Sequence, residues 1–109
     1  MLPSKQRLSR LEFNDFLAQK GVSVVFNSLG ALKFIKTLEN KASVVISKKN
    51  EKKAVLRNKL KRRVYKVFSG CFTGLSGYQF VLYASKQSTK MDYKQVNELL
   101  DELIKKATK

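Results

Sequence analysis

The chain has 109 residues, 23 Lys+Arg against 8 Asp+Glu, and a net charge of +15 at pH 7. That length holds one domain, residues 1–109, burying about 65 % of the surface of the unfolded chain. Its 43 % apolar content is enough to line such a core and argues against global disorder. The charge excess argues against an ordinary near-neutral enzyme and points to a polyanionic partner, nucleic acid before an anionic membrane surface.

Absent residue types narrow the chemistry. With no His there is no imidazole base, no Ser-His-Asp triad and no His metal ligand. Cys71 is alone, which leaves no intrachain disulfide and no thiolate zinc site, and suits a reducing cytosol. The longest unbroken apolar run, Phe80–Ala84, is far short of the ~20 residues of a membrane span, and the start of the chain has no apolar signal segment. A cytoplasmic protein is expected.

Residues 1–8 read as an extended basic lead-in. Ser9 is a helix N-cap with Glu12 three residues on, a capping box, and Leu8 with Phe13 as its hydrophobic staple. The helix should run to about Lys20 and stop at Gly21. Residues 22–47 change period: Val22, Val24 and Phe26 alternate with Ser23, Val25 and Asn27. Ser28-Leu29-Gly30 is a turn. Ala31–Thr37 is strand-like, Glu39-Asn40-Lys41 is a second turn, and Ala42–Ser47 is a short β-branched run. The pattern predicts three consecutive antiparallel strands, a meander. On such strands Lys33 and Lys36 read as solvated edge charges.

Residues 50–68 return to helical spacing, with Leu56, Leu60, Val64 and Val67 on one stripe and Arg57, Asn58, Lys61, Arg62 and Tyr65 opposite. Glycine-rich Ser69–Gly77 reads as a loop, and Tyr78–Ala84 as a strand covered on both faces. Asp92, with Gln95 three on, caps a final helix whose Val96, Leu99, Leu100 and Leu103 repeat at helical spacing. The predicted order is α-β-β-β-α-β-α.

The central helix carries the argument. Residues 51–66 hold eight bases and one acid, Glu51, about half the net charge on some five turns. A basic run is commonly a solvated face. Here three features favour a binding surface. There are almost no acids for i,i+4 pairing, so the run repels itself. Its polar face mixes planar Arg forks, a Lys point charge, an Asn amide and an aromatic ring. Ser47-Lys48-Lys49 adds two cations at its start. If six to eight phosphates were neutralised, affinity would fall with a log–log salt slope of roughly −4 to −7.

Arg57-Asn58-Lys59-Leu60-Lys61-Arg62, preceded by Ser47-Lys48-Lys49 and Lys53-Ala54-Val55, resembles the signature S-K-K…A-V-x-R-N-R-x-K-R of the bacterial ribonuclease P protein subunit. The likeness spans nearly the whole chain. Met1-Leu2-Pro3…Arg7-Leu8…Glu12-Phe13 is similar to that family's start. Gly77-Tyr78 and Val81–Ala84 are similar to its G-Y-D-x-V-V-x-A strand, and Met91-Asp92-Tyr93 to its closing helix. Lys59 departs from the motif's usual Arg, keeping charge but losing bidentate geometry. The segment 50–53 lacks the usual Gly and is one residue longer than the commonest spacing.

The resemblance implies an α+β sandwich, like domain 2 of ribosomal protein S5, in which the signature helix joins two parallel strands by a left-handed crossover; that handedness occurs in about one crossover in fifty. It implies a function: helping a catalytic RNA remove the 5′ leader of precursor tRNA, with Mg²⁺ held mainly by that RNA. No catalytic residue and no protein metal site are then expected. The expected partners are ribonuclease P RNA and precursor tRNA, with no membrane and no stable protein partner required. Arg7, Lys48, Lys49, Lys53, Arg57, Asn58, Lys59, Lys61, Arg62 and Tyr65 are the expected RNA contacts. Phe13, Phe16 and Phe34 are the expected leader-cleft aromatics. A structural RNA-binding protein of ribosomal or ribosome-assembly type is the alternative. A membrane-surface binder and a DNA-compacting protein fit less well.

Overall fold

The computed structural model describes residues 7–19, 21–49, 51–75 and 77–108. Its elements are α1 (Arg10–Ala18), β1 (Ser23–Asn27), β2 (Gly30–Lys36), β3 (Lys41–Val45), α2 (Ala54–Phe72), β4 (Tyr78–Ala84), a 3-10 turn (Ser88–Lys90) and α3 (Tyr93–Ala107). This is the expected α-β-β-β-α-β-α order. Both predicted capping boxes form. The Ser9 hydroxyl accepts from the Glu12 N–H at 3.2 Å while the Glu12 carboxylate accepts from the Ser9 N–H at 3.1 Å. Asp92 and Gln95 do the same at the start of α3, at 2.8 and 3.1 Å. Each satisfies two orphan donors with residues three apart, which is why sequence locates them. α1 stops earlier than the predicted Lys20: it ends at Ala18, where Gln19 turns to an extended backbone (ψ 141°) and its N–H bonds the Phe16 carbonyl at 3.3 Å.

The strands form one sheet in the order β1-β2-β4-β3. β1 and β2 are an antiparallel hairpin, β2 pairs antiparallel with β4, and β3 runs parallel to β4. The meander is therefore corrected: β3 does not return to β2. It lies on the far side of β4, and α2 is the crossover that a parallel pair requires. Β-branched periodicity marks a strand but not its neighbour. Gly30 shows how tight the sheet is. At φ +152°, a Cβ there would stand 2.1 Å from the Tyr83 carbonyl oxygen.

Register divides the sheet into two faces. Val25, Leu32, Phe34, Ala42, Val44, Phe80, Leu82 and Ala84 share the face that meets Leu60, Val64, Phe68 and Phe72 of α2 and Val96, Leu100, Leu103 and Ile104 of α3. α2 is longer than predicted. It continues through Gly70 to Phe72, and the Phe68, Phe72 and Phe80 rings lie with centroids 5.5–6.3 Å apart. Residues 69–72 are thus helix rather than loop, because burying Phe72 outweighs the ~1 kcal/mol helix penalty of a glycine. Asn40 closes that end. Its Nδ2 donates to the Phe72 and Leu75 carbonyls at 3.0 and 3.1 Å, and its Oδ1 accepts from the Tyr78 N–H at 3.0 Å. The last turn of the helix is satisfied by a side chain from a distant turn.

The opposite face carries Val24, Phe26, Lys33, Ile35, Lys41, Gln79, Val81 and Tyr83. α1 crosses it. Arg7 bridges Ala42 in parallel fashion beside β3, Glu12 pairs with Lys41 of β3, and Phe16 is wholly buried at the other end. Val81 is fully buried on this face, whereas Phe26 is 72 % exposed and Val24 is 50 % exposed.

Candidate nucleic-acid interface

α2 leaves the carboxyl end of β3 through Ser47–Lys53. The Ser47 hydroxyl accepts from the Lys49 N–H at 3.1 Å and the Ser47 carbonyl from the Glu51 N–H at 3.0 Å, turning the chain. Arg57 reaches back: its Nη1 donates to the Glu51 and Lys52 carbonyls at 2.8 and 2.9 Å. Arg57 thus builds the turn into the helix as well as carrying charge, and the rest of its five-donor fork remains for a ligand.

The start of α2 is electrostatically unusual. Its N-cap is Lys53, with no side-chain cap bond and no acid in the first turn. The partial positive charge of the helix end therefore adds to Lys48, Lys49, Lys52 and Lys53, all exposed. The ion pairs among the described residues involve Lys41, Lys105 and Lys106; none is on α2. Asn58, Lys59, Arg62 and Lys66 are exposed, and Arg57, Lys61 and Arg63 are half-buried along the flanks. The predicted contacts Lys48, Lys49, Lys53, Arg57, Asn58, Lys61 and Arg62 lie along this stretch, while Lys59 stands on the other flank of α2. Arg7 is not among them; it is half-buried against β3.

Tyr65 is a correction. It is 9 % exposed and belongs to the core cluster, because the apolar stripe of α2 runs Leu60, Val64, Phe68, Phe72 and pulls Tyr65 to its side. Val67, placed on the stripe by periodicity, is half-buried at its margin.

Two separate clefts lie beside α1 on the second sheet face. One, about 200 Å³, is lined by Phe16, Leu17, Gln19, Val22, Val24 and Lys33; the other, about 420 Å³, by Glu12, Thr37, Leu38, Glu39, Lys41 and Gln79. Lys33 Nζ sits 5.1 Å from the Tyr83 ring centroid, a cation–π contact. Burial raises the Tyr83 hydroxyl above its ordinary range. The hydrogen bond from Lys41, seconded by the Ser9 backbone, holds the Glu12 carboxyl below its ordinary value.

Two predicted cleft aromatics are corrected. Phe16 is 0 % exposed and offers no ring face to a base. Phe34 points through the sheet to the other side and packs on the core. Phe13 is half-buried. The sequence reading missed Lys33, Tyr83 and Phe26. β2 is an interior strand, so Lys33 is no edge charge. The signal was the alternation itself: Lys33 and Phe26 share the parity that the register assigns to this face, but that parity has meaning only once α1 is known to lie there.

A family model described as Ribonuclease P matches residues 2–108. The chain belongs to the ribonuclease P protein family. It is 31 % identical over 110 residues to the ribonuclease P protein component of Pseudanabaena sp. (strain PCC 6903), covering 98 % of this chain and 95 % of that one. Among solved structures it is similar to the RNase P protein of Thermotoga maritima, with a TM-score of 0.74 and 27 % identity over 90 % of this chain and 94 % of that one. It is also similar to that of Staphylococcus aureus, with a TM-score of 0.81 and 21 % identity over 94 % of each chain; at that identity the likeness speaks for the fold. The ribonuclease P match takes in both the cationic helix and the clefts. Among the described residues no helix is long and apolar enough to cross a membrane.

Proposed function

We propose that this ribonuclease P protein binds the catalytic RNA through α2 and the 5′ leader of precursor tRNA through the clefts beside α1, assisting Mg²⁺-dependent removal of the leader. The observation that carries this reading is the uncapped, unpaired cationic ridge of α2. Two polyanions must approach each other for leader removal, and a +15 chain between them lowers their repulsion. Arg62 and the open part of Arg57 suit bidentate phosphate contacts, Lys48, Lys49, Lys53, Lys59 and Lys61 supply point charges, and Asn58 can donate and accept. On the sheet face beside these clefts, Tyr83 and the exposed Phe26 supply ring faces next to Lys33. Base stacking on such rings contributes ~1–3 kcal/mol per base.

The protein's part is binding and positioning. In this reading Mg²⁺ is held mainly by the RNA subunit. The test is cleavage of a precursor tRNA by a bacterial ribonuclease P RNA at low Mg²⁺ with and without the chain. Stimulation that fades with added salt is expected. An unchanged rate, with the RNA shown to be active at high Mg²⁺, overturns the proposal.

A further inference from the structure

A second cationic feature lies on the flank of α2 away from Arg57 and Lys61. A cleft of about 300 Å³ opens between the first half of α2 and the 3-10 turn, lined by Leu56, Lys59, Leu60, Arg63, Ser88, Thr89, Lys90, Met91 and Asp92. Lys59 and Arg63 are four apart and share one face of the helix. Each lies two residues, some 200° of helix rotation, from Arg57 and Lys61 respectively. Arg63 is fixed: its Nη1 donates to the Met91 carbonyl at 3.1 Å, and its remaining donors are left over.

The acids nearby are already committed. Asp92 caps α3, and Glu51 accepts from the Thr89 hydroxyl at 3.3 Å. No ion pair among the described residues involves Lys59, Arg63 or Lys90. Three cations thus line one small cleft against the single carboxylate of Asp92, none of them in an ion pair with it, and a bound anion offsets the net positive charge that remains. Leu56, Leu60 and Met91 supply its apolar lining, and the Lys and Arg donors around them suit a compact, multiply accepting group.

Resting on the ribonuclease P reading, we propose that this cleft takes a backbone phosphate of the RNA subunit. α2 is then gripped on both flanks: one phosphate track meets Lys59, Arg63 and Lys90, the other Arg57 and Lys61. A helix so held is inserted between two RNA backbones rather than laid on one.

The test is fluorescence anisotropy of an end-labelled bacterial ribonuclease P RNA titrated with the full chain across a KCl series. Lys90 is exposed and outside the core, so Lys90→Met and Lys90→Glu should keep the wild-type urea midpoint. Lys106→Met, which removes a lysine already paired with Glu102 on α3, is the control. Lys90→Met should weaken binding roughly 3- to 10-fold and make the log–log salt slope shallower by about one, with Lys90→Glu weaker still. Lys90 variants that match Lys106→Met, while the wild type binds, overturn the cleft site alone. A wild type that does not bind this RNA overturns the functional reading instead. Inorganic pyrophosphate is the second probe: if it perturbs the amide signals of Ser88–Met91 while the Lys90 variants keep the wild-type slope, the site serves a free anion and the RNA assignment fails.

Discussion

α2 and α3 are neighbouring amphipathic helices on the same face of one sheet, yet they solve their polar problems in opposite ways. α3 is complete in itself. Asp92 and Gln95 cap its start, Lys105 and Lys106 sit in its last turn, and they pair at i,i+4 with Asp101 and Glu102 at 3.0 and 2.9 Å. Every one of those choices is the stabilising one for an isolated helix. α2 declines them all. It begins on Lys53 with no cap, has no acid in its first turn and no ion pair among the described residues. Its stability comes from Leu60, Val64, Phe68 and Phe72 in the core. The contrast is the one the proposed function calls for: α3 is satisfied inside the chain, and α2 keeps its charges free of internal ion pairs among the described residues.

The largest test of that contrast strikes the structural helix. Leu100→Ala, at a fully buried position, should cost about 2–5 kcal/mol in urea unfolding while leaving the RNA affinity of the folded fraction unchanged. Loss of affinity in folded Leu100→Ala would make α3 part of the interface. Next, Lys61→Glu with Arg62→Glu should weaken binding to ribonuclease P RNA on the order of 100-fold, ~2.7 kcal/mol, and make the salt slope shallower by about two. Its thermal midpoint should not fall, since charge repulsion is relieved. Anisotropy and thermal melts read the two arms.

Capping should invert between the helices. Asp92→Ala should destabilise by about 1 kcal/mol, whereas Lys53→Asp should stabilise by roughly 0.5–1 kcal/mol and weaken RNA binding. Stabilisation by Lys53→Asp with unaltered binding would show that the bare helix start serves no ligand. Sulfate should raise the urea midpoint of the wild type more than that of the Lys61→Glu, Arg62→Glu variant, because an anion that binds the folded ridge shifts the folding equilibrium; equal shifts would remove the ridge as the anion's site.

The smallest effect concerns α1. Glu12 titrates below its ordinary value because Lys41 and the Ser9 backbone favour its charged form. Folding is therefore favoured by this group above its unfolded value near 4.5, and that contribution is lost as pH falls through the lower folded value. Glu12→Gln should flatten this acid limb by a few tenths of a kcal/mol, since the pair is partly solvated. A wild-type acid limb in Glu12→Gln would show that the α1–β3 clamp contributes nothing.

Much of this was legible without coordinates, and the reason is range. Both capping boxes act across three residues, and the cationic run is a matter of counting, so Ser9, Glu12, Asp92, Gln95 and the ridge from Lys48 to Arg62 were found where they lie. What failed depends on distant chain. Ser69–Phe72 reads as a glycine-rich loop because nothing nearby announces that Asn40 will bond its carbonyls or that Phe72 will meet Phe80. Tyr65 sits on the polar side of a four-residue stripe until the stripe's continuation to Phe72 shifts the buried arc toward it.

The amino-acid sequence alone determined the order of elements, the helix starts and the polycationic character, because each arises from neighbours along the chain or from composition. Only the tertiary structure decided that β3 pairs parallel with β4, that α1 lies across the face bearing Lys33 and Tyr83, and that Phe34 looks the other way. Strand parity divides residues between two faces, but which face becomes core and which becomes cleft is decided by the helices that settle on each, through contacts that no local spacing encodes.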